Sequence, residues 1–149
     1  MSTQLSIDIV SDVVCPWCLI GKRRLEIALQ RLREDRPEIE PVIRWLPYFL
    51  NPDIPEEGEP YRPFLERRFG GPEKVAEFIG HVVEAGKTVG TDFAFDRIEV
   101  CPNTLRAHRL IHRMQQQGDA DAVVERLFSA HLQRGEKVGS LDELVRIAA

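Results

Sequence analysis

Residues 5–22 read Leu5-Ser6-Ile7-Asp8-Ile9-Val10-Ser11-Asp12-Val13-Val14-Cys15-Pro16-Trp17-Cys18-Leu19-Ile20-Gly21-Lys22, and the fold turns on where this stretch changes its period. Leu5, Ile7 and Ile9 alternate with Ser6 and Asp8, the two-residue repeat of a strand, which is expected to end near Val14. Beyond it Leu25, Ala28, Leu29 and Leu32 recur at helical spacing, so a helix should run from about Cys15 to Glu34. Pro16 suits its first turn, where no amide donor is needed. At about 100° per residue Ile20 and Ile27 fall opposite the leucines, which predicts a helix held between two layers.

Outward from this helix, Pro37 and Pro41 bracket a break, and Val42, Ile43, Trp45, Leu46 and Tyr48 form an apolar run closed by Pro47 and Pro52. It reads as a second strand, parallel to the first by right-handed crossover. Residues 51–63, dense in Pro, Gly and Glu, read as a surface connection. Helical stripes follow over residues 73–87 (Val75, Phe78, Ile79, Val82, Val83) and 104–117 (Ala107, Leu110, Ile111, Met114), then a third carrying Val124, Leu127 and Phe128. Asn103 and Asp119 are N-cap candidates. A weak third strand is expected at Thr91–Phe95. Ser140 and Glu143 have capping-box spacing ahead of Leu141, Leu144, Val145 and Ala148. The division expected is 1–52, strand-helix-strand, and 53–149, helical, with the chain cut at its end.

The 149 residues carry 20 Lys and Arg against 24 Asp and Glu, a net charge of −4, with 43% apolar and 30% charged residues. That is the balance of a folded chain, and it lacks the cationic surplus that nucleic-acid binding requires. No apolar run reaches the roughly 18 residues of a membrane span. With no leader-like N-terminus, the expected compartment is the cytoplasm.

In a reducing compartment a close cysteine pair is more often redox-active or metal-binding than structural. Cys15 and Cys18, three apart at the start of a helix, lie within disulfide reach. Free amides and the positive end of the helix dipole predict a lower pKa at Cys15, making it the attacking sulfur with Cys18 resolving. Pro16 and Trp17 would tune the potential. Zinc is the competing reading, with His108 and His112 completing a Cys₂His₂ set, but the pairs lie far apart in sequence and Arg106, Arg109 and Arg113 crowd the same helix. Both histidines otherwise read as a partly exposed helix flank. His131, on the stripe of Val124, Leu127 and Phe128, reads as a satisfied core histidine, and Cys101 as a small buried filler. Lys22, Arg23 and Arg24 either raise the potential around Cys15 or form a solvated basic edge.

The run Ser11 to Lys22 resembles the active-site segment of the DsbA family of thioredoxin-like proteins, in its FrnE-like branch. Residues Trp45 to Pro52 resemble that branch loosely, and Pro102-Asn103-Thr104 with Ala107-His108-Arg109-Leu110-Ile111 closely. The resemblance implies an α/β, DsbA-type thioredoxin-like fold with an inserted helical domain. It also implies disulfide exchange with protein or small-molecule thiols through Cys15 as nucleophile and Cys18 as resolving residue. No cofactor is implied, glutathione being a candidate redox partner. The family's C-terminal β-hairpin and final helix, with the cis-proline loop facing the cysteine pair, have no counterpart in these residues. A neighbouring branch, the kappa-class glutathione transferases and hydroxychromene-carboxylate isomerases, typically has serine where Cys15 stands. An unfinished sheet makes a second copy a candidate partner.

Overall fold

The computed structural model describes residues 1–149. Strand β1 (Thr3–Ser11), helix α1 (Pro16–Asp35) and strand β2 (Ile39–Pro47) form a parallel strand-helix-strand unit, with Thr3 opposite Ile39 and Ser11 opposite Pro47. The remainder comprises β3 (Glu59–Pro60), α2 (Tyr61–Phe69), α3 (Pro72–Lys87), β4 (Val100–Cys101), α4 (Leu105–Gln116), α5 (Asp121–Phe128) and α6 (Leu141–Ala148). A π-helical turn, Ser129–Gln133, follows α5. No helix is long and apolar enough to cross a membrane.

β1 stops at Ser11, short of the expected Val14, because Asp12 to Val14 turn inward. The Cys15 amide closes that turn on the Asp12 carbonyl at 3.1 Å, and Val13 and Val14 enter the core. Pro16 opens α1 with no cost in amide donors. The helix is enclosed at Leu19 and Ile20, but Ile27 is 44% exposed, so the expected sandwich holds only for its first turns.

Residues of β2 alternate in the direction of their backbone groups. The Tyr48 amide, just past the strand, donates to the Ser11 carbonyl at 3.0 Å. Trp45 points the other way, and the side-chain amide of Gln115 takes both its N–H and its C=O, at 2.7 and 2.9 Å. One side chain of α4 therefore stands where a neighbouring strand would.

The third strand at Thr91–Phe95 does not form: Phe93 and Phe95 stack at 5.3 Å, and the Ala94 amide donates to the Leu132 carbonyl on the π turn. The second pairing is instead the two-residue antiparallel ladder of β3 and β4. The surface connection ends at Tyr61, where α2 starts and buries Tyr61 and Leu65; it ends at Gly70, whose φ of 94° suits the left-handed cap. The capping box of α6 is not made. Glu143 pairs with Arg146, while Leu141 and Val145 are exposed and Leu144 and Ile147 face the core. Asn103 and Asp119 sit one residue before the geometric caps, and their side chains accept from the amides of Leu105 and Asp121 at 3.0 and 2.8 Å.

Lys22 and Arg23 are neither a solvated edge nor directed at Cys15. The buried Lys22 ammonium pairs with Glu26 at 2.5 Å and Glu125 at 2.9 Å, and Arg23 pairs with the same Glu125, tying α1 to α5. Arg24 is exposed.

Candidate active site

Cys15 occupies the N-cap of α1 with extended backbone (φ −87°, ψ 112°), and Cys18 lies one turn inside. Both are half-buried free thiols, while Trp17 between them is 43% exposed. The two thiols share a proton, so their titration belongs to the pair. Cys18 carries the lower value, drawn down to about 6 first by the hydrogen bond from the Cys15 thiol, against burial, with the Asp12 backbone amide and the Ser11 hydroxyl adding to the effect. Cys15 is pushed far above its ordinary value, first because it holds the proton it shares with Cys18 and then by burial, although the amides of Cys18 and Trp17 point at its sulfur. The two sulfurs therefore act as a unit with one shared proton: the first proton leaves below the ordinary thiol range and the second far above it.

Beneath the pair lies a polar cluster assembled from distant segments. The buried Asp12 carboxylate accepts from the Leu50 amide at 2.9 Å and the Thr104 hydroxyl at 3.3 Å, and its Oδ1 lies 3.1 Å from Nε2 of His108. The same nitrogen lies 3.1 Å from the Tyr48 carbonyl, and the edge of the ring meets Phe49 at 5.0 Å. Two acceptors on one nitrogen fix it as the protonated one. His108 is thus no exposed flank but a buried donor, whereas His112 is exposed. The Cys₂His₂ set is not assembled, since His108 is committed to Asp12; no three His, Cys, Asp or Glu side chains are grouped to hold a metal.

Local spacing alone gives Asp12 no role and puts His108 on an exposed flank. A signal existed. Thr104, His108, Ile111 and Gln115 repeat at i, i+4, i+7 and i+11, a buried stripe containing three polar residues that needed partners.

Cys101 is buried as expected, and burial raises its thiol to about 12; its sulfur is 3.9 Å from the Asn51 side-chain nitrogen. His131 is buried but not satisfied: neither ring nitrogen has a hydrogen-bond partner, and desolvation lowers its pKa to about 4. Its ring meets Tyr61 edge-on at 6.3 Å.

A profile of the DSBA-like thioredoxin domain matches residues 6–149. The uncharacterized protein YwbO of Bacillus subtilis is 23% identical over 142 residues, which is 95% of this chain and 64% of YwbO. The crystal structure of a probable DsbA oxidoreductase from Streptomyces coelicolor superposes with a TM-score of 0.81 at 23% identity, over 95% of this chain and 60% of that one. A protein disulfide isomerase candidate from Nitrosomonas europaea superposes at 0.63 and 18% identity, over 96% and 62%. The chain spans less than two thirds of the length of each. These superpositions establish the fold as thioredoxin-like, of the DsbA type.

Proposed function

The chain belongs to the DSBA-like thioredoxin domain family, and from that premise we propose that it is a thiol-disulfide oxidoreductase working through Cys15 and Cys18. The observation that carries the reading is the placement of two half-buried free thiols, Cys15 at the N-cap of α1 and Cys18 one turn inside, close enough for one to draw the other down to about 6. A thiolate is then available at neutral pH, and the thiolate is the nucleophile.

In this reading Cys15 attacks. Its sulfur faces the Trp17 and Cys18 amides, so the negative charge has donors when the shared proton passes to Cys18. The substrate S–S bond breaks, a Cys15–substrate disulfide forms, and one half of the substrate leaves as a thiolate, which takes its proton from solvent. Cys18 then gives up its proton, attacks the Cys15 sulfur and releases the second substrate thiolate. Two electrons have passed to the substrate and the chain holds a Cys15–Cys18 disulfide; the reverse sequence delivers a disulfide. Pro16, buried in the first turn, and Trp17, exposed beside it, set the potential of the couple.

The substrates are protein or small-molecule thiols and disulfides, with no bound cofactor and with glutathione as a redox partner. Residues 45–52 and 102–111 support the FrnE-like branch, and the cysteine usage a cytoplasmic site of action. Residues 1–52 supply the redox half and residues 53–149 the helical half that packs His108 beneath it. The open edge of β1 is where a second copy would pair.

The test is mixed-disulfide trapping. Cys18→Ser should accumulate a covalent adduct with a disulfide substrate, because nothing resolves it, and Cys15→Ser should form none. Equal trapping by both variants, or by neither, overturns the assignment.

A further inference from the structure

Between β2 and α4 lies a cleft of about 570 Å³, inside the size range of sites that hold a peptide segment or small molecule. Its walls are apolar, with Val13, Trp45, Leu46, Phe49, Ile111 and Val124 among them. Its charge is one-sided. Arg44, Arg109, His112 and Arg113 line it and no aspartate or glutamate does, in a chain whose net charge is −4. Arg44 is neutralised by Asp8 at 2.6 Å, and Arg106, one turn away, by Glu56. Arg109 and Arg113 line the cleft without a carboxylate beside them.

The helix makes this face deliberately two-sided. Thr104, Ala107, His108 and Ile111 turn inward, while Leu105, Arg109, His112 and Arg113 repeat at i, i+4, i+7 and i+8 on the outer side. The cleft also runs toward the redox pair: Ser11 and Val13 line it, four and two residues before Cys15.

We propose that this cleft binds an acidic polypeptide segment flanking the substrate cysteine, with carboxylates paired to Arg109 and Arg113 and apolar side chains against Phe49 and Leu46. The proposal rests on the oxidoreductase reading and names its substrate class. Recruiting exposed guanidinium groups without partners breaks no existing ion pair, and a bidentate carboxylate is what they fit.

The test uses the reduced protein and two synthetic peptide disulfides of one composition of apolar residues, one carrying Asp and Glu beside the cysteines and the other Lys. A neutral small disulfide serves as a third substrate. Peptide reduction consumes one peptide disulfide and leaves one Cys15–Cys18 disulfide. The acidic peptide should react with a kcat/KM at least about tenfold above the basic one, mainly through KM. That ratio should fall toward unity at about 1 M salt, where screening extends over about 3 Å. Arg109→Glu with Arg113→Glu should reverse it, and Arg109→Gln with Arg113→Gln should abolish it. Taking a ratio for each variant cancels any loss of folded protein. Reaction with the neutral disulfide but equal rates for both peptides overturns the cleft and leaves the oxidoreductase reading standing. No reaction with any of the three overturns both, and an unchanged ratio in the charge-reversed variant overturns the assignment to α4.

Discussion

The Asp12 carboxylate and the His108 imidazole, 96 positions apart in sequence, lie 3.1 Å from each other inside the protein. The contact joins the turn that presents Cys15 to the helix that walls the cleft. It also gives a buried acceptor a donor. Truncating one partner of such a contact leaves the other buried without its bond.

His108→Ala should therefore cost about 1–3 kcal/mol of stability in urea unfolding, the penalty of an orphaned buried polar group. His112→Ala, on the exposed side of the same helix, should stay within about 0.5 kcal/mol. Equal effects would mean that Asp12 finds another donor and that the pair is incidental.

The thiol pair predicts a pH profile. Alkylation of the reduced protein by iodoacetamide should rise with a midpoint near 6, well below 9.0 for an ordinary thiol. Cys15→Ala removes the largest stabilising bond on Cys18, so the midpoint of the remaining thiol should climb toward 9.0. Cys101, buried and raised to about 12, should stay unmodified until the protein unfolds. A third thiol that reacts in the native state contradicts this picture.

His131 makes stability depend on acid. Its folded pKa of about 4 lies below the unfolded 6.5, so folding favours the neutral ring. Above pH 6.5 the group is neutral in both states and exacts no penalty. As pH falls from 6.5 to 4 the unfolded chain takes up a proton that the folded one refuses, and stability declines by up to about 1.4 kcal/mol per pH unit across that window. His131→Phe should remove this slope while keeping an aromatic edge against Tyr61. Parallel curves for the two proteins in urea unfolding from pH 7 to pH 4.5 would refute it.

The ion cluster between α1 and α5 predicts an asymmetry. Arg23 first, with Lys22, holds the Glu125 carboxyl down to about 2. Its contribution is whole above 4.5, the ordinary value, and drains away as pH falls through about 2. At neutral pH Glu125→Ala leaves the buried Lys22 ammonium with Glu26 as its one close carboxylate and takes Glu125 from Arg23 as well; it should cost on the order of 2 kcal/mol, whereas Lys22→Met, which removes the buried charge itself, should cost less. Thermal unfolding of both variants gives the order directly.

Much of this was legible in the sequence because local rules and tertiary structure agreed. The alternation of Leu5, Ile7 and Ile9, Pro16 at a helix start and the stripes of α3 and α4 all led to elements of the right kind. The errors lie where a distant partner decided the outcome. Thr91–Phe95 has strand-like residues, but its Phe93 and Phe95 stack together and its backbone is claimed by the π turn. Lys22 looked solvated because Glu125 lies about a hundred residues away. The same holds for His108, whose flanking arginines advertised an exposed surface while its own side of the helix faced Asp12.

The Gln115 bracket on Trp45 has one more outcome, for the polarity of sheet growth. The backbone groups of β2 that face away from β1 belong to Ile39, Pro41, Ile43, Trp45 and Pro47. The prolines have no hydrogen to offer, the Ile39 amide is spent on Arg36, and Trp45 is taken by Gln115, so Ile43 alone keeps a free N–H on that border. Any additional strand, whatever chain it comes from, must add beyond β1, where Gln4, Ser6, Asp8 and Val10 present an unbroken row of hydrogen-bonding groups.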